Sequence, residues 1–242
     1  MMENRLWQNE YRLRASDFDK YNRIRLSSVL DLFQDAAGQH AEVLGVGFEK
    51  MLERRYLWVL VRIKLQIISQ PQRYSKVNVK TWPLSPNRFN YRREYCIENE
   101  FGEKMIIGSS EWVVIDSERR RLVSDPDLYP FSDNFYPEMN FETRLSRVYD
   151  FDETDVAYTV TPGYCDLDRN NHVNNTKYAN YLFDAISPDE NFDIDIFQLD
   201  FRKEIMQGGK IYVYYVKDGS QILAKGQNEK GEVMFASFLK TK

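Results

Sequence analysis

The chain has 242 residues, of which 43% are hydrophobic and 14% aromatic, so it can bury a sizeable core, and overall disorder is excluded. Its formal charge of −4 gives no indication of nucleic-acid binding, and no hydrophobic run reaches the roughly 18 residues that a membrane-spanning helix needs. The N-terminal sequence contains no hydrophobic core of a secretory signal, so we expect a cytoplasmic protein. Two distant cysteines, Cys96 and Cys165, predict neither a disulfide framework nor a zinc site.

The first half of the sequence predicts a strand, a long helix, a short helix and four further strands. Residues 27–38 carry hydrophobic side chains at helical spacing after a serine that can cap the helix, and Gly38 is a place where it can end or kink. Residues 48–55 predict the short helix. Alternating hydrophobic and polar residues, with many β-branched and aromatic side chains, predict strands at 6–14, 56–68, 76–82, 89–98 and 104–115.

The second half predicts a similar order of elements. A short strand at 158–162 precedes a helix that Asn174 or Asn175 can cap and that runs to about Ala185. One face of this helix is hydrophobic and comprises Tyr178, Tyr181, Leu182 and Ala185. Strands are predicted at 192–201, 210–216, 221–228 and 233–239.

Two pairs of segments indicate that one structural unit occurs twice. DFDKYNRI at 17–24 aligns with DLDRNNHV at 166–173, and KVNVKTW at 76–82 aligns with KIYVYYV at 210–216. Each half contains a strand, a polar junction, a long helix and an antiparallel sheet, which is typical of an α+β fold whose sheet wraps around one helix. We expect domains at 1–124 and 158–242, joined by a linker at 125–157 that is rich in polar residues and proline.

The junction DLDRNNHVNN, at residues 166–175, concentrates polar side chains just before the second long helix. A helix N-terminus has unpaired N–H groups and a partial positive charge, so it can bind an oxygen that becomes negative, which is worth roughly 10²–10³ in rate. His172 lies just before that terminus, and Asp168 and Asn170 share its side if the segment is extended. The alternative is that these residues are ordinary turn and capping residues.

A calcium loop is a weaker interpretation of the same junction. Asp166, Asp168 and Asn170 match the first three ligand positions of an EF-hand. However, Asn171 and Lys177 stand where that loop needs glycine and a bidentate glutamate. We therefore expect no metal.

Comparison of the two copies separates shared residues from specific ones. Both aspartates of the junction occur in both copies, which favours a structural role in turns or caps. Asn170 and His172 of the second copy correspond to Tyr21 and Arg23 of the first. The second copy is therefore the expected place of any chemistry.

Three blocks of the sequence resemble one family of enzymes. DLDRNNHVNNTKYANYL, at 166–182, is similar to the signature D-L-D-x-N-x-H-V-N-N-x-K-Y of acyl-acyl-carrier-protein thioesterases. Residues 77–83 and 91–123 resemble two further blocks of that family in the right order. The resemblance implies a tandem pair of hotdog domains. It also implies hydrolysis of the thioester between a fatty acyl chain and the phosphopantetheine arm of an acyl carrier protein, without a cofactor of the enzyme's own.

The resemblance also implies roles for individual residues. It maps the family's catalytic set onto Asp168, Asn170, His172 and Glu204. Plant members often have cysteine after that glutamate, but Ile205 stands here, so a thiol nucleophile is excluded at this position. Attack by water and direct attack by the carboxylate both remain open. The thioester carbonyl is expected to point at the start of the second long helix, near Val173 and Asn174.

Other expectations concern binding. Candidate residues for an acyl-chain pocket, for each of which simple core packing is an equal alternative, are Val29, Phe33, Trp58 and Trp82. Because carrier proteins of this type are acidic, basic clusters are candidates for docking, with solvated strand and turn faces as the alternative. The residues of these clusters are Arg88, Arg92, Arg93, Arg119, Arg120 and Arg121. His40 is expected to be exposed or to cap the first helix.

Alternative functions remain within reach of the same sequence. An acyl-CoA thioesterase would use the same pantetheine arm, and a non-catalytic acyl-binding hotdog protein would use the same pocket. A dehydratase is a weaker alternative because its usual signatures are not evident. A tandem pair already supplies the two domains that single hotdog proteins obtain by pairing, so a monomer or a homodimer is expected.

Overall fold

The computed structural model describes residues 4–131, 134–152 and 154–242. In chain order its elements are β1 (Trp7–Arg12), α1 (Leu26–Val43), α2 (Phe48–Glu53), β2 (Tyr56–Ile67), β3 (Lys76–Pro83), β4 (Tyr91–Asn99), β5 (Lys104–Asp116), β6 (Leu122–Val123), β7 (Tyr158–Val160), α3 (Lys177–Ile186), β8 (Ile194–Phe201), β9 (Ile211–Asp218), β10 (Gln221–Asn228) and β11 (Val233–Thr241). In this part of the chain, no helix combines the length and hydrophobicity that a membrane crossing requires.

The predicted helices and strands are confirmed, but two helix boundaries are corrected. Helix α1 does not end at Gly38 and continues to Val43. Gly38 lies on the exposed side of the helix, where a glycine costs only about 1 kcal/mol, and the residues after it continue the buried side. Helix α3 begins at Lys177 with Thr176 as its N-cap residue, rather than at the predicted asparagines. The two-residue strand β6 was not predicted.

The chain folds into two compact units. The first unit comprises the residues up to Asp17 and Asp31–Leu145, and the second comprises Phe18–Leu30 and Ser146–Lys242. This division differs from the predicted boundaries, because the start of α1 groups with the second unit and most of the predicted linker groups with the first. Within the first unit, Leu128 and Tyr129 of that linker are buried in a hydrophobic cluster.

The first unit contains an antiparallel sheet with the strand order β1-β3-β4-β5-β2, and β6 pairs with β5. Phe33 of α1 packs on this sheet, with its ring stacked on Tyr95 of β4 at a centroid distance of 4.5 Å. Gly108 of β5 lies beneath the same ring, and a Cβ atom there would meet the ring at 2.5 Å. A glycine is therefore needed for the close approach of helix and sheet.

The second unit contains an antiparallel sheet with the strand order β8-β11-β10-β9-β7. Helix α3 lies against β7 and β9, and the helix face predicted to be hydrophobic is buried. Tyr178 of α3 makes edge-on ring contacts with Phe201 at 5.2 Å and with Phe235 at 5.3 Å. This packing fixes the end of α3 that follows the polar junction.

Candidate active site

The second junction forms a tight loop, residues 163–174, which we call the second loop. A 3-10 turn at Tyr164–Asp166 opens it, and the N–H of Asp168 donates to the carbonyl of His172 at 2.7 Å. Asn171 adopts a positive φ of 61° at the tip, a conformation that asparagine tolerates better than most residues. The loop therefore has a defined backbone, held by its own hydrogen bonds.

The carboxylate of Asp168 organises the backbone of the second loop. Its Oδ1 atom accepts the N–H of Asn170 at 2.8 Å and the N–H of His172 at 3.2 Å. Hydrogen bonds to a carboxylate are stronger than those between neutral groups. Asp168 thus fixes the main chain that carries the asparagine and histidine side chains.

The second loop brings His172 to Glu204, which lies far away in the sequence. Their Nε2 and Oε2 atoms are 3.4 Å apart, and their side chains are 27% and 43% exposed. The segment after β8 pairs with the loop, because the N–H of Val173 donates to the carbonyl of Ile205 at 2.8 Å. Ile205 itself is only 1% exposed and anchors this segment. The structure therefore places an acid and an imidazole side by side, within reach of water.

Tyr178 supports the segment that carries Glu204, a contact that sequence reasoning missed. Its hydroxyl is buried and hydrogen-bonds to the backbone of Ile205. Burial raises the pKa of this hydroxyl well above its ordinary value, and the carboxylates of Asp168 and Glu204 raise it further. Tyr178 therefore stays neutral. The only signal in the sequence was its place on the hydrophobic face of the helix.

The predicted oxyanion site near Val173 and Asn174 disagrees with the structure. The N–H of Val173 already donates to Ile205, and the N–H of Asn174 donates to the carbonyl of Asp166 at 2.8 Å. Both groups are used to hold the second loop, since α3 begins only at Lys177. They are not available to a carbonyl oxygen in this arrangement.

The first junction, residues 14–24, forms the same loop, which we call the first loop. The N–H of Asp19 donates to the carbonyl of Arg23 at 2.8 Å, and Asp19 Oδ1 accepts the N–H groups of Tyr21 and Arg23, both at 2.9 Å. Asn22 adopts a positive φ of 64° at its tip. The alignment of the two junctions is therefore confirmed in detail, and the second of the two shared aspartates, Asp19 or Asp168, has the same backbone contacts in each loop.

The two loops differ in what stands at the histidine position. Arg23 is the counterpart of His172, and its Nε donates to Asp19 Oδ2 at 2.9 Å. Its Nη1 donates to the carbonyls of Asp189 at 2.8 Å and Phe192 at 2.5 Å. The first loop therefore uses this position to bind main-chain carbonyls, whereas the second loop presents an imidazole to a carboxylate.

The residues proposed for an acyl-chain pocket make contacts typical of a core. Val29, Phe33 and Trp82 are buried, and the Nε1 of Trp82 donates to the carbonyl of Glu138 at 2.7 Å. Trp58 is partly buried, and its indole contacts Tyr91 edge-on at 5.2 Å. Their part in acyl-chain binding stays a prediction.

Two of the six candidate docking arginines are not on a free surface, and this part of the prediction is wrong. Arg93 is buried and lies 3.1 Å from His40 Nδ1 through its Nη1 atom. Arg92 is mostly buried and donates to Glu94 Oε1 at 2.6 Å. The other four arginines, Arg88, Arg119, Arg120 and Arg121, are exposed.

The expectation of an exposed or capping His40 is also wrong, since this histidine is buried.

The fold and the loop pair together define a class of protein, since two helix-on-sheet units carry the same loop and only one of the two loops carries an acid–imidazole pair. Models of the acyl-ACP thioesterase N-terminal and C-terminal domains match residues 4–129 and 149–236. The chain belongs to the acyl-ACP thioesterase family, whose fold is a tandem pair of hotdog domains.

Relatives and solved structures agree with this assignment. The palmitoyl-acyl carrier protein thioesterase of Gossypium hirsutum is 25% identical over 214 residues, which are 82% of this chain and 52% of that protein. The oleoyl-acyl carrier protein thioesterase of Coriandrum sativum is 28% identical over 200 residues, which are 74% and 54% of the two chains. Both relatives are named chloroplastic. The chain spans about half the length of the curated relatives it matches.

The crystal structure of an acyl-ACP thioesterase from Bacteroides thetaiotaomicron superposes with a TM-score of 0.90, at 22% identity and 99% coverage of both chains. The 12:0-ACP thioesterase from Umbellularia californica gives a TM-score of 0.86, at 22% identity, with 97% of this chain and 96% of that chain covered. These two structures confirm the fold.

Proposed function

We propose that the protein is a thioesterase that hydrolyses fatty acyl-acyl-carrier-protein to a free fatty acid and the holo carrier protein. The observation that carries the proposal is the His172–Glu204 pair, with 3.4 Å between Nε2 and Oε2, on a loop whose duplicate has no such pair. Membership in the acyl-ACP thioesterase family supports the same reaction. The enzyme needs no cofactor, because the phosphopantetheine arm arrives with the substrate.

The proposed reaction uses the acid and the imidazole on one water molecule. Glu204 and His172 take a proton from water as its oxygen attacks the thioester carbonyl carbon, and the C–S bond then breaks. The pantetheine thiol that leaves has a pKa of roughly 8.5, so its thiolate needs only modest assistance from an acid. Asp168 keeps the loop in shape through its contacts to main-chain N–H groups. Asn170 binds the substrate or orients the water.

A second route has the same outcome. Glu204 attacks the carbonyl carbon directly, the thiolate leaves, and water opens the resulting anhydride. A single turnover in ¹⁸O-labelled water tests for the anhydride route, since label in the Glu204 carboxylate would demonstrate it. Direct attack by water places the label in the fatty acid alone, whereas the anhydride route places ¹⁸O in the Glu204 carboxylate when water attacks the enzyme acyl group.

The Glu204→Gln variant tests the catalytic assignment. We expect kcat on acyl-carrier-protein to fall roughly 10²- to 10⁴-fold, because the amide cannot accept a proton, while KM changes little. Steady-state kinetics measure both. Glu229→Gln is the matched control, since this exposed glutamate lies in the β10–β11 turn and its loss should leave kcat unchanged. Near-normal turnover by Glu204→Gln would refute the role.

A panel of acyl thioesters tests the substrate. Acyl chains of graded length, each on carrier protein and on CoA, give a ratio of kcat/KM values that decides between the two carriers. His172→Ala serves as the inactive control. Tight binding of these thioesters without turnover would instead favour the non-catalytic alternative.

The remaining parts of the proposal concern the partner and the cell. The exposed arginines, Arg88 and Arg119 to Arg121, are proposed to dock the acidic carrier protein. A monomer or a homodimer and a location in the cytoplasm are proposed on the sequence alone. Gel filtration with light scattering and imaging of a tagged protein would check these two points.

A further inference from the structure

Met206 lies directly opposite His172 in the short antiparallel pairing that forms the candidate site. The hydrogen bond from the Val173 N–H to the Ile205 carbonyl joins their neighbours, not the two residues themselves. His172 and Met206 are therefore a non-hydrogen-bonded pair, the kind in which opposing backbones are about 4.5 Å apart and facing side chains approach most closely. The pairing thus brings the thioether and imidazole side chains onto the same face of the segment.

Alternation along the segment after β8 places Glu204 and Met206 on one side and Ile205 on the other. The exposures agree, because Ile205 is 1% exposed, whereas Met206 is 53% exposed and the Glu204 side chain 43%. His172, Glu204 and Met206 consequently share one face. What distinguishes Met206 from other exposed hydrophobic residues is its place on the same face as the acid–imidazole pair, where its flexible side chain can adapt to a bound substrate.

We propose that Met206 is a substrate-contacting residue that packs against the thioester end of the substrate. The inference rests on the proposed function, because it takes the His172–Glu204 pair as the place where the carbonyl reacts. A side chain facing His172 reaches only atoms near the carbonyl, namely the sulfur and the first methylene groups. The contact is therefore made with the part that every acyl-pantetheine thioester shares, and it does not read the length of the acyl chain.

The size of the effect follows from burial. A bound substrate would cover the exposed half of Met206 and remove its apolar area from water. Truncation of Met206 to alanine would forfeit that burial, which corresponds to a loss of roughly 5- to 10-fold in kcat/KM. Leucine has a similar volume and should restore most of the contact, since Leu and Met exchange at low cost.

The experiment compares wild type, Met206→Ala, Met206→Leu and Met139→Ala on acyl-carrier-protein substrates of graded chain length. Met139 is the matched control, because it is 51% exposed and belongs to the first unit. We expect kcat/KM of Met206→Ala to fall roughly 5- to 10-fold, by the same factor at every acyl-chain length. Met206→Leu should stay within about two-fold of wild type. Met139→Ala should match wild type, and thermal unfolding should show all four proteins folded.

The outcomes separate this inference from the proposed function. Unchanged kcat/KM in Met206→Ala, or a loss confined to long chains, overturns the inference while the thioesterase stands. If wild type hydrolyses no thioester, the proposed function fails. The Met206 contact is then tested separately by measuring the binding of a non-hydrolysable acyl-pantetheine thioether. Weaker binding of that thioether by Met206→Ala supports the contact, whereas equal binding, or none by wild type, overturns it.

Discussion

The two histidines of the chain occupy opposite environments. His172 is partly exposed and faces a carboxylate, whereas His40 is 0% exposed and both of its ring nitrogens are used. His40 Nε2 is 2.8 Å from the carbonyl of Asn4, which can only accept, and Nδ1 is 3.1 Å from Arg93, which can only donate. The ring is therefore neutral, with its proton on Nε2. Burial, and then the charge of Arg93, lower the pKa of His40 to about 4.

This lowered pKa predicts that His40 makes the fold sensitive to acid. The folded-state pKa of about 4 lies below the ordinary value of 6.5, so the unfolded chain takes up the proton first as the pH falls. The stability that neutral His40 contributes is fully present above pH 6.5 and is lost as the pH falls toward 4. Between about pH 7 and pH 5 we expect a loss of roughly 2 kcal/mol in the free energy of unfolding, measured by urea denaturation.

The matched variant for this measurement is His40→Gln, which has no imidazole to titrate. Its free energy of unfolding should fall less over the same pH interval than that of wild type, by about the amount assigned to His40. Equal pH dependence in the two proteins would contradict the assignment.

The burial of His40 was missed because of a single glycine. Ending the helix at Gly38 leaves His40 outside it, where a histidine is naturally expected to be exposed. Once α1 continues, Phe33, Ala36 and His40 fall at spacings of three and four residues on one buried face. The sequence contained the spacing, but local propensity gave the wrong end, since packing outweighs the cost of an exposed glycine.

At the scale of elements, the two loops provide a test for Asp168. Asp168→Ala removes two charge-assisted hydrogen bonds to N–H groups, and we expect it to lower stability by roughly 1–3 kcal/mol and also to lower kcat, because the histidine backbone loosens. Asp168→Asn keeps an acceptor oxygen and should restore most of both. Thermal unfolding and steady-state kinetics are the measurements.

Asp19→Ala is the matched variant in the first loop, where the same contacts support no proposed chemistry. It should lose a similar or larger amount of stability, since Asp19 also pairs with Arg23, while kcat of the folded enzyme is retained. If Asp168→Asn were as inactive as Asp168→Ala yet fully stable, the carboxylate would act on the reaction itself, against the positioning role.

Most elements could be predicted from the sequence because their patterns are local. Strand β3 alternates over most of its length, and the duplicated D-x-D segments predicted two equivalent loops. The approach of Glu204 to His172 could not be read from spacing, since it depends on how the segment after β8 pairs with the loop, and it came from the family resemblance. Met206 carries no sequence pattern, and only the pairing reveals its place.

For the whole molecule, the charge distribution predicts a dependence on salt. The chain is acidic overall, so the proposed docking of an acidic carrier protein relies on local clusters such as Arg88 and Arg119 to Arg121. Raising the salt concentration from about 50 mM to about 300 mM should increase KM for acyl-carrier-protein several-fold and leave kcat nearly unchanged. Initial-rate kinetics check this, and a KM independent of salt would count against electrostatic docking.

A double variant with reversed charges tests the docking cluster directly. Arg119→Glu combined with Arg121→Glu should raise KM for acyl-carrier-protein at low salt and make KM depend less on salt. Lys50→Glu on α2 reverses one exposed charge outside the arginine clusters and should leave KM unchanged. If both proteins responded alike, net charge rather than a docking cluster would be responsible.

Arg23 of the first loop shows what becomes possible when both hotdog domains lie in one chain. In a homodimer of identical chains, each substitution appears twice, so both loops must keep the same side chain at this position. A tandem gene removes that symmetry, and one loop can exchange its imidazole for a guanidinium that binds the carbonyls of Asp189 and Phe192. A covalent inactivator directed at Glu204 should accordingly label one equivalent per chain, because the first loop holds a structural guanidinium where the second loop holds an imidazole beside a carboxylate.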